Sequence, residues 1–419
     1  MKLTEIRLKH FRNLTDLIFK PDPKLNFLVG PNGQGKTSLI EAIGFLATLR
    51  SFRDRKAAHL VQWGQNSSEI SCQLSSDPTE SDSTHAWKTD LRIQFELLDP
   101  IKKKATKSAF INGKPYKSST QYLSQRFGSV ELGFHTVVFN PSDHDLVRGE
   151  PAVRRSYLDQ VIAAQDVEYL KTLQKFQRAL VQRNTLLKQK GPPYPTPALL
   201  SGFTEPFCAF GSVLAKRRLD WIEQINPILQ EILSKIAPSQ APVRISYLSS
   251  WLPSFKVQKS EKLSLKNGEL DSNHFTGQAG SGSLELLDRS LRTKLMALEA
   301  EERKVGFSLA GPHRDDWMFL LGDEALKGHG SQGEVRSALL ALKLAEVVLF
   351  QKVTGHQPLF LLDDLSSELD QKRRSFLLQF LMETDLQTFV TTTDDPSKVG
   401  TRFWVSSGKI EEGRNDDRT

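Results

Sequence analysis

The stretch "FLVGPNGQGKTSLIEAIGF", residues 27–45, limits this chain more than any other. Apolar residues run up to Val29, a glycine-rich turn follows, and apolar positions return at helical spacing at Leu39, Ile40, Ile43 and Leu46. Strand, tight turn and helix in that order open an α/β unit. The turn, Gly30 to Thr37, has the form G-x-x-x-x-G-K-[ST]. Gly30, Gly33 and Gly35 let backbone N–H groups close around phosphate oxygens, and Pro31, Asn32 and Gln34 complete the loop. The new helix points its positive end at the same anion. Lys36 reaches the β- and γ-phosphates, and the Thr37 hydroxyl can ligate magnesium. A nucleoside triphosphate with Mg2+ is the expected occupant.

Two further stretches extend that reading. In "LFLLDDLSSELD" four apolar residues lead into Asp363 and Asp364. Ionised carboxylates at the end of a buried strand are costly unless something pairs with them, and magnesium would do so. Asp363 is placed to hold the metal through water, and Asp364 to polarise an attacking water. In "SQGEVR", Ser331, Gln332, Gly333 and Glu334 open a helix, and a serine hydroxyl with a glycine N–H at a helix start forms a second anion site. A plain helix cap has the same look. Two phosphate-grade sites with one P-loop fit a nucleotide clamped between two copies of the chain.

Elsewhere the texture alternates between α/β and purely helical. Thr4, Ile6 and Leu8 alternate with Glu5, Arg7 and Lys9 as in a strand, and "LTDLIFK" and "SEISCQL" read likewise. "ATKSAFINGKPYK" reads as a hairpin turning at Asn112-Gly113. Helical patterns fill 166–190, about 204–236 with a kink at Pro227, and the Leu284–Leu298 region, with a Gly/Ser/Asn-rich loop around 266–283. The expected organisation is an α/β head, 1–155 and 304–410, split by a helical arm, 156–303, with a frayed tail at 411–419. Lys plus Arg exceeds Asp plus Glu by 56 − 49 = 7, so a polyanion is a fitting partner. The candidate phosphate contacts are Lys102, Lys103, Lys104 and Lys107, then Lys114 and Lys117, Arg154 and Arg155, and Lys216, Arg217 and Arg218. No zinc finger or helix-turn-helix is evident, so binding should depend on salt more than on base sequence. Cys72 and Cys208 cannot form a disulfide framework, which makes a reducing cytoplasm the default, and no apolar run of about 18 residues suggests a membrane span.

The P-loop, the S-x-G-[EQ] signature, the apolar-Asp-Asp segment and "SELD", in this order, resemble the ABC-type ATPase heads of the SMC-like family. "FRNL", "LRSFR", "VRGEPAVRRSYLD" and "GPHRDD" carry the likeness toward its branch in bacterial recombination and gap repair. The resemblance implies ATP binding, ATP-dependent homodimerisation, DNA held by the dimer at gaps or junctions, and release on slow hydrolysis. It also implies action with the RecO and RecR mediator proteins and, through them, RecA. By the same resemblance Lys36 and Asp364 are catalytic, Thr37 and Asp363 hold the metal, Arg12 lies near the nucleotide, and Ser331 to Glu334 meet the partner copy's γ-phosphate. Ser367 and Asp370 mark the D-loop. The usual switch histidine is absent, and "FVTTTDDP" offers Thr391, Thr392 and Thr393 in its place. Heptad spacing in the arm lasts only about three repeats, too short for a long chromosome-organising coiled coil. A transporter-type ABC ATPase shares the motifs but needs a membrane partner and usually that histidine. A purely structural SMC-like clamp shares the fold without the repair role, and a kinase or GTPase would lack the "SQGE" signature.

Overall fold

Alternating burial organises the amino terminus: Lys2–Phe11 turns Leu3, Ile6, Leu8 and Phe11 inward. The computed structural model describes residues 1–54, 56–76, 87–99, 104–127, 133–189, 191, 196–252, 274–275, 284–394 and 399–413. They form two compact units, 1–143 with 343–419, and 144–342.

The first unit holds two six-stranded sheets. One is antiparallel, in the order Leu14–Phe19, Lys2–Phe11, Ser67–Ser75, Lys88–Asp99, Lys104–Ile111 and Lys114–Tyr116. Its last hairpin turns at Asn112 and Gly113, both at positive φ as a two-residue turn of this hand requires. The other runs Lys409–Glu412, Thr401–Ser406, Leu25–Val29, Thr388–Thr392, Leu359–Leu362 and Thr136–Phe139. Its inner pairings are parallel, and Leu25–Val29, buried at every position, lies between Thr388–Thr392 and Thr401–Ser406. The helix Lys36–Thr48 shares one core with side chains of both sheets: Ile40, Ile43 and Phe45 join Ile6, Leu8, Phe95, Leu361 and Phe389. Phe45 meets Phe95 edge-on at 5.2 Å. Burial of each such side chain is worth about 1.5–3 kcal/mol, which fixes the helix and the turn before it. Lys409–Glu412 pairs with Thr401–Ser406, so Glu411 and Glu412 belong to the sheet and not to a frayed tail. Residues 414–419 lie outside the described residues.

The second unit is mainly helical: Pro151–Gln165, Val167–Leu187, Pro197–Ile236 and Leu284–Val305. Asp316–Leu321 pairs along its length with Val243–Leu248. That ladder keeps residues 304–342 with the insertion, so the units part near 143 and 342 and not at 155 and 303. The helix Pro197–Ile236 continues through Pro206 and Pro227. It is long and apolar enough to cross a membrane by length and composition, yet Leu214, Ile225, Leu229 and Ile232 are buried as it packs on Val167–Leu187 and Leu284–Val305. Most of the loop expected at 266–283 lies outside the described residues.

Candidate active site

The P-loop is held from two sides. A Cβ at Gly30 would collide with the Val405 carbonyl, and one at Gly35, whose φ is 111°, would lie 2.6 Å from Leu14 Cδ2. Both positions therefore demand glycine. Ser407 N–H donates to Gln34 Oε1 at 2.6 Å and Gly408 N–H to the Gln34 carbonyl at 3.2 Å. Asn13 Nδ2 donates to the Gly33 carbonyl at 3.0 Å, and Ser38 Oγ donates to Asn13 Oδ1 at 2.8 Å. Gly35 gives Lys36–Thr48 no side-chain cap, so the N–H groups of the first turn face outward as an anion site.

Lys36 Nζ donates to the carbonyls of Gly30 at 2.5 Å and Pro31 at 2.8 Å. Burial pulls its ammonium below the ordinary lysine value, while the Asp364 and Asp363 carboxylates oppose that shift. Thr37 Oγ1 donates to Asp363 Oδ1 at 2.8 Å, and Thr391 Oγ1 donates to the same oxygen at 2.8 Å. Burial pushes the Asp363 carboxyl above its usual range, with these two hydroxyls pulling the other way. Thr391 Oγ1 also accepts from the Asp364 N–H at 2.8 Å. One threonine thus ties both acids to the end of the neighbouring strand. Asp364 sits at φ 61° and caps Leu365–Glu368 through Ser367 N–H at 3.4 Å.

Arg12, at φ 54°, donates from Nε and Nη2 to Glu41 Oε2 and Oε1 at 2.9 and 2.6 Å. Glu41 is fully buried and also accepts from Ser51 Oγ at 2.5 Å and Arg53 Nη1 at 3.5 Å. Arg12 and Arg53 line a cavity of about 930 Å³ whose wall also includes Lys36, Thr37, Trp63, Asp363, Asp364 and Thr393. Among the described residues there is no cluster of three or more His, Cys, Asp or Glu able to hold a metal. Thr37 and Asp363 are nonetheless hard oxygen donors side by side, the set that magnesium takes when phosphates and water supply the rest.

The remaining expected residues are distributed as follows. Ser331 and Glu334 form a reciprocal capping box, Glu334 N–H to Ser331 Oγ at 3.2 Å and Ser331 N–H to Glu334 Oε2 at 2.8 Å, opening the helix Gln332–Thr354. Gln332 is exposed and Gly333 half-buried. Ser367 and Asp370 are exposed, and Asp370 caps Gln371–Glu383. Of the basic clusters, Lys102 and Lys103 lie outside the described residues, and Lys104 is exposed. Arg154 is buried in a two-pronged pair with Asp316, at 2.8 and 2.7 Å. Arg218 is buried on Asp159, Tyr247 and the Pro312 carbonyl. These two are corrections: a guanidinium buried and committed to protein acceptors cannot meet a DNA phosphate. Arg155 donates to the Asp315 carbonyl at 2.9 Å, Lys216 pairs with Asp220 at 2.5 Å, and Arg217 pairs with Asp166 at 3.5 Å. Asn13, Ser38, Glu41 and Arg53 were missed. Only the nearness of Asn13 to "FR" and of Arg53 to the P-loop helix hinted at them.

The family model described as the RecF/RecN/SMC N terminal domain matches residues 2–400. The DNA replication and repair protein RecF of Geotalea daltonii is 33% identical over 393 residues, covering 94% of this chain and 93% of the relative. That of Desulforudis audaxviator is 34% identical over 412 residues, covering 98% and 99%. The chain belongs to the RecF family. A solved structure of the recombination mediator protein RecF-ATP in the RecFOR pathway superposes with a TM-score of 0.78 at 27% identity, covering 99% of this chain and 98% of that one. An Smc head domain with an extended coiled coil, from Pyrococcus furiosus, gives 0.52 at 16% identity and shares the fold. The RecF-family head is thus an ABC-type, ATP-binding α/β fold.

Proposed function

We propose that this RecF-family protein is an ATP-operated DNA-binding switch. ATP enters the cavity, its phosphates meet Lys36 and the first turn of Lys36–Thr48, and two copies close on it. Ser331 to Glu334 of each copy then face the other's γ-phosphate, with Ser367 and Asp370 at the same junction. The closed pair holds DNA at gaps or junctions and works with RecO and RecR to bring RecA there. Slow, DNA-stimulated hydrolysis releases it. Thr37 and Asp363 would hold Mg2+, which when bound neutralises charge on the β- and γ-phosphates. Asp364 accepts the proton of the attacking water, and Thr391 keeps it beside the metal-holding acid.

The observation that carries this reading is the meeting of Thr37, Asp363 and Thr391 on one carboxylate oxygen, at the wall of a cavity that also holds Lys36 and Asp364. Acidic and hydroxyl groups more than 300 residues apart converge where a triphosphate would end. The test is size-exclusion chromatography with ATP and with gapped duplex, beside turnover of Lys36→Arg. The protein should dimerise on ATP and retain the DNA, and Lys36→Arg should keep some ATP binding while losing about a hundredfold or more in turnover. A monomer indifferent to both ligands, or an unchanged ATPase rate, would overturn the reading.

A further inference from the structure

A loop that binds an anion through its N–H groups must also settle its carbonyls, because each planar trans peptide turns its C=O and N–H to opposite sides. Lys36 Nζ takes the carbonyls of Gly30 and Pro31, and the Leu39 N–H takes that of Gly35 at 3.0 Å. Those carbonyls are served by the loop and its own helix. The carbonyls of Gly33 and Gln34 are served from outside. Asn13, in the turn between Lys2–Phe11 and Leu14–Phe19, donates Nδ2 to the Gly33 carbonyl at 3.0 Å. Its Oδ1 accepts from Ser38 Oγ at 2.8 Å, which fixes the end of the amide that faces the loop. Gly408 N–H donates to the Gln34 carbonyl at 3.2 Å, and Ser407 N–H holds the Gln34 side chain at 2.6 Å. Ser407 and Gly408 sit at φ 49° and 75°, the two positive values of a tight hairpin turn between Thr401–Ser406 and Lys409–Glu412.

We propose that Asn13 and the Ser407–Gly408 turn are positioning groups of the nucleotide site. They fix the Gly33–Gln34 and Gln34–Gly35 peptides so that the Gln34 and Gly35 N–H groups meet phosphate. The inference rests on the reading of the cavity as an ATP site. Holding the Gly33 carbonyl sets the direction of the Gln34 N–H, and holding the Gln34 carbonyl sets that of the Gly35 N–H. Both peptides are flanked by glycine at positive φ, Gly33 at 82° and Gly35 at 111°. Gly33 is exposed, and a Cβ there would meet nothing within 4 Å, so packing does not hold that peptide. Without Asn13 a peptide next to such a glycine has more than one accessible orientation. Ordering it would then oppose binding, whereas a peptide held beforehand carries no such cost. Asn13 and the turn act through the loop and touch no reacting atom. They should therefore govern affinity and leave the rate at saturation alone.

Asn13→Leu keeps the size of the side chain and removes both ends of the amide. Fluorescent ATP and ADP analogues should each bind it about tenfold more weakly, with KM for ATP raised by a similar factor. Its kcat at saturating ATP should stay within about twofold of wild type. Gln34→Met frees the side chain from Ser407 without touching the Ser38 contact, and should raise KM about threefold. Ser407→Gly keeps the N–H groups of the turn and should behave as wild type. Loss of structure alone gives the reverse split, a lower kcat per mole of protein at unchanged KM, and thermal unfolding of each variant identifies it. An unchanged KM in both Asn13→Leu and Gln34→Met overturns the proposal, as does a fall in kcat without a rise in KM. Lys36→Ala separates this failure from that of the site reading. If Lys36→Ala loses ATP affinity about tenfold or more while Asn13→Leu and Gln34→Met bind as wild type, the positioning role alone fails. If Lys36→Ala binds ATP as wild type does, the site reading fails and takes the positioning role with it.

Discussion

Two aspartate pairs, Asp363–Asp364 in one unit and Asp315–Asp316 in the other, receive opposite treatment. Asp315 accepts from Trp251 Nε1 at 2.9 Å and Tyr247 Oη at 2.9 Å, one on each oxygen, and is buried. Asp316 accepts from Arg154 on both oxygens and from the Trp317 N–H. All four oxygens are matched. In the other pair Thr37 and Thr391 crowd onto Asp363 Oδ1, Ser366 and Ser367 onto Asp364 Oδ1, and neither Oδ2 takes a hydrogen bond from the described residues. The contrast separates an acid pair matched on every oxygen from one that the described residues match on one oxygen of each acid. Full satisfaction of a buried carboxylate fixes local structure, whereas an oxygen that the fold leaves unmatched is open to a ligand.

The contrast can be broken most sharply at Arg218, which holds Asp159 and Tyr247 from a buried position. Arg218→Ala leaves those acceptors without their cation and should cost roughly 3–5 kcal/mol of stability, read by denaturant unfolding. ATP affinity of the folded fraction should stay as it was; a normal unfolding midpoint would deny the building role. A smaller effect tests the pH response of the structural pair. Burial pushes the Asp315 carboxyl up to about 7, with Arg218, Ser249, Tyr247 and Trp251 opposing. With the folded value above the unfolded one, the native state binds the extra proton. Stability from this group is full below pH about 4 and is lost as pH rises toward 7, at no more than about 1.4 kcal/mol per pH unit. Asp315→Asn should flatten the stability profile of wild type across that window, and an unchanged profile would place the titration elsewhere. The smallest effect belongs to the exposed Lys104: Lys104→Ala should lower the slope of log affinity against log salt for DNA by about one, with stability unchanged. If Lys104 leaves the slope alone, that cluster is solvated surface.

The legible parts of the sequence were those governed by neighbours. Strand, glycine turn and helix around Lys36, the buried run into Asp363, and the Asn112-Gly113 hairpin all followed from periodicity and turn chemistry. What could not be read depended on distant pairing. "RR" at 154–155 and "KRR" at 216–218 look like surface charge until Asp316 and Asp159 are found opposite two of those arginines. Glu41 sits on a helix whose pattern explains its apolar neighbours but not a carboxylate buried among them. Its reason is Arg12, reached from the turn between Lys2–Phe11 and Leu14–Phe19. The unit boundary shifted for the same cause, since the ladder between Val243–Leu248 and Asp316–Leu321 joins segments that share no local signal. Within "GPHRDD", Asp315 and Asp316 form part of a buried framework, with Tyr247 and Arg154 as their donors.

The buttressing of the P-loop by the carboxyl-terminal strands sets a timetable for synthesis. Gln34 waits for Ser407, 373 residues later, and Gly30 packs on Val405. At about 5–20 residues per second, roughly 20 to 75 seconds separate translation of the loop from that of its support. A nascent chain still on the ribosome therefore has the glycine-rich turn without the strand end that supports it.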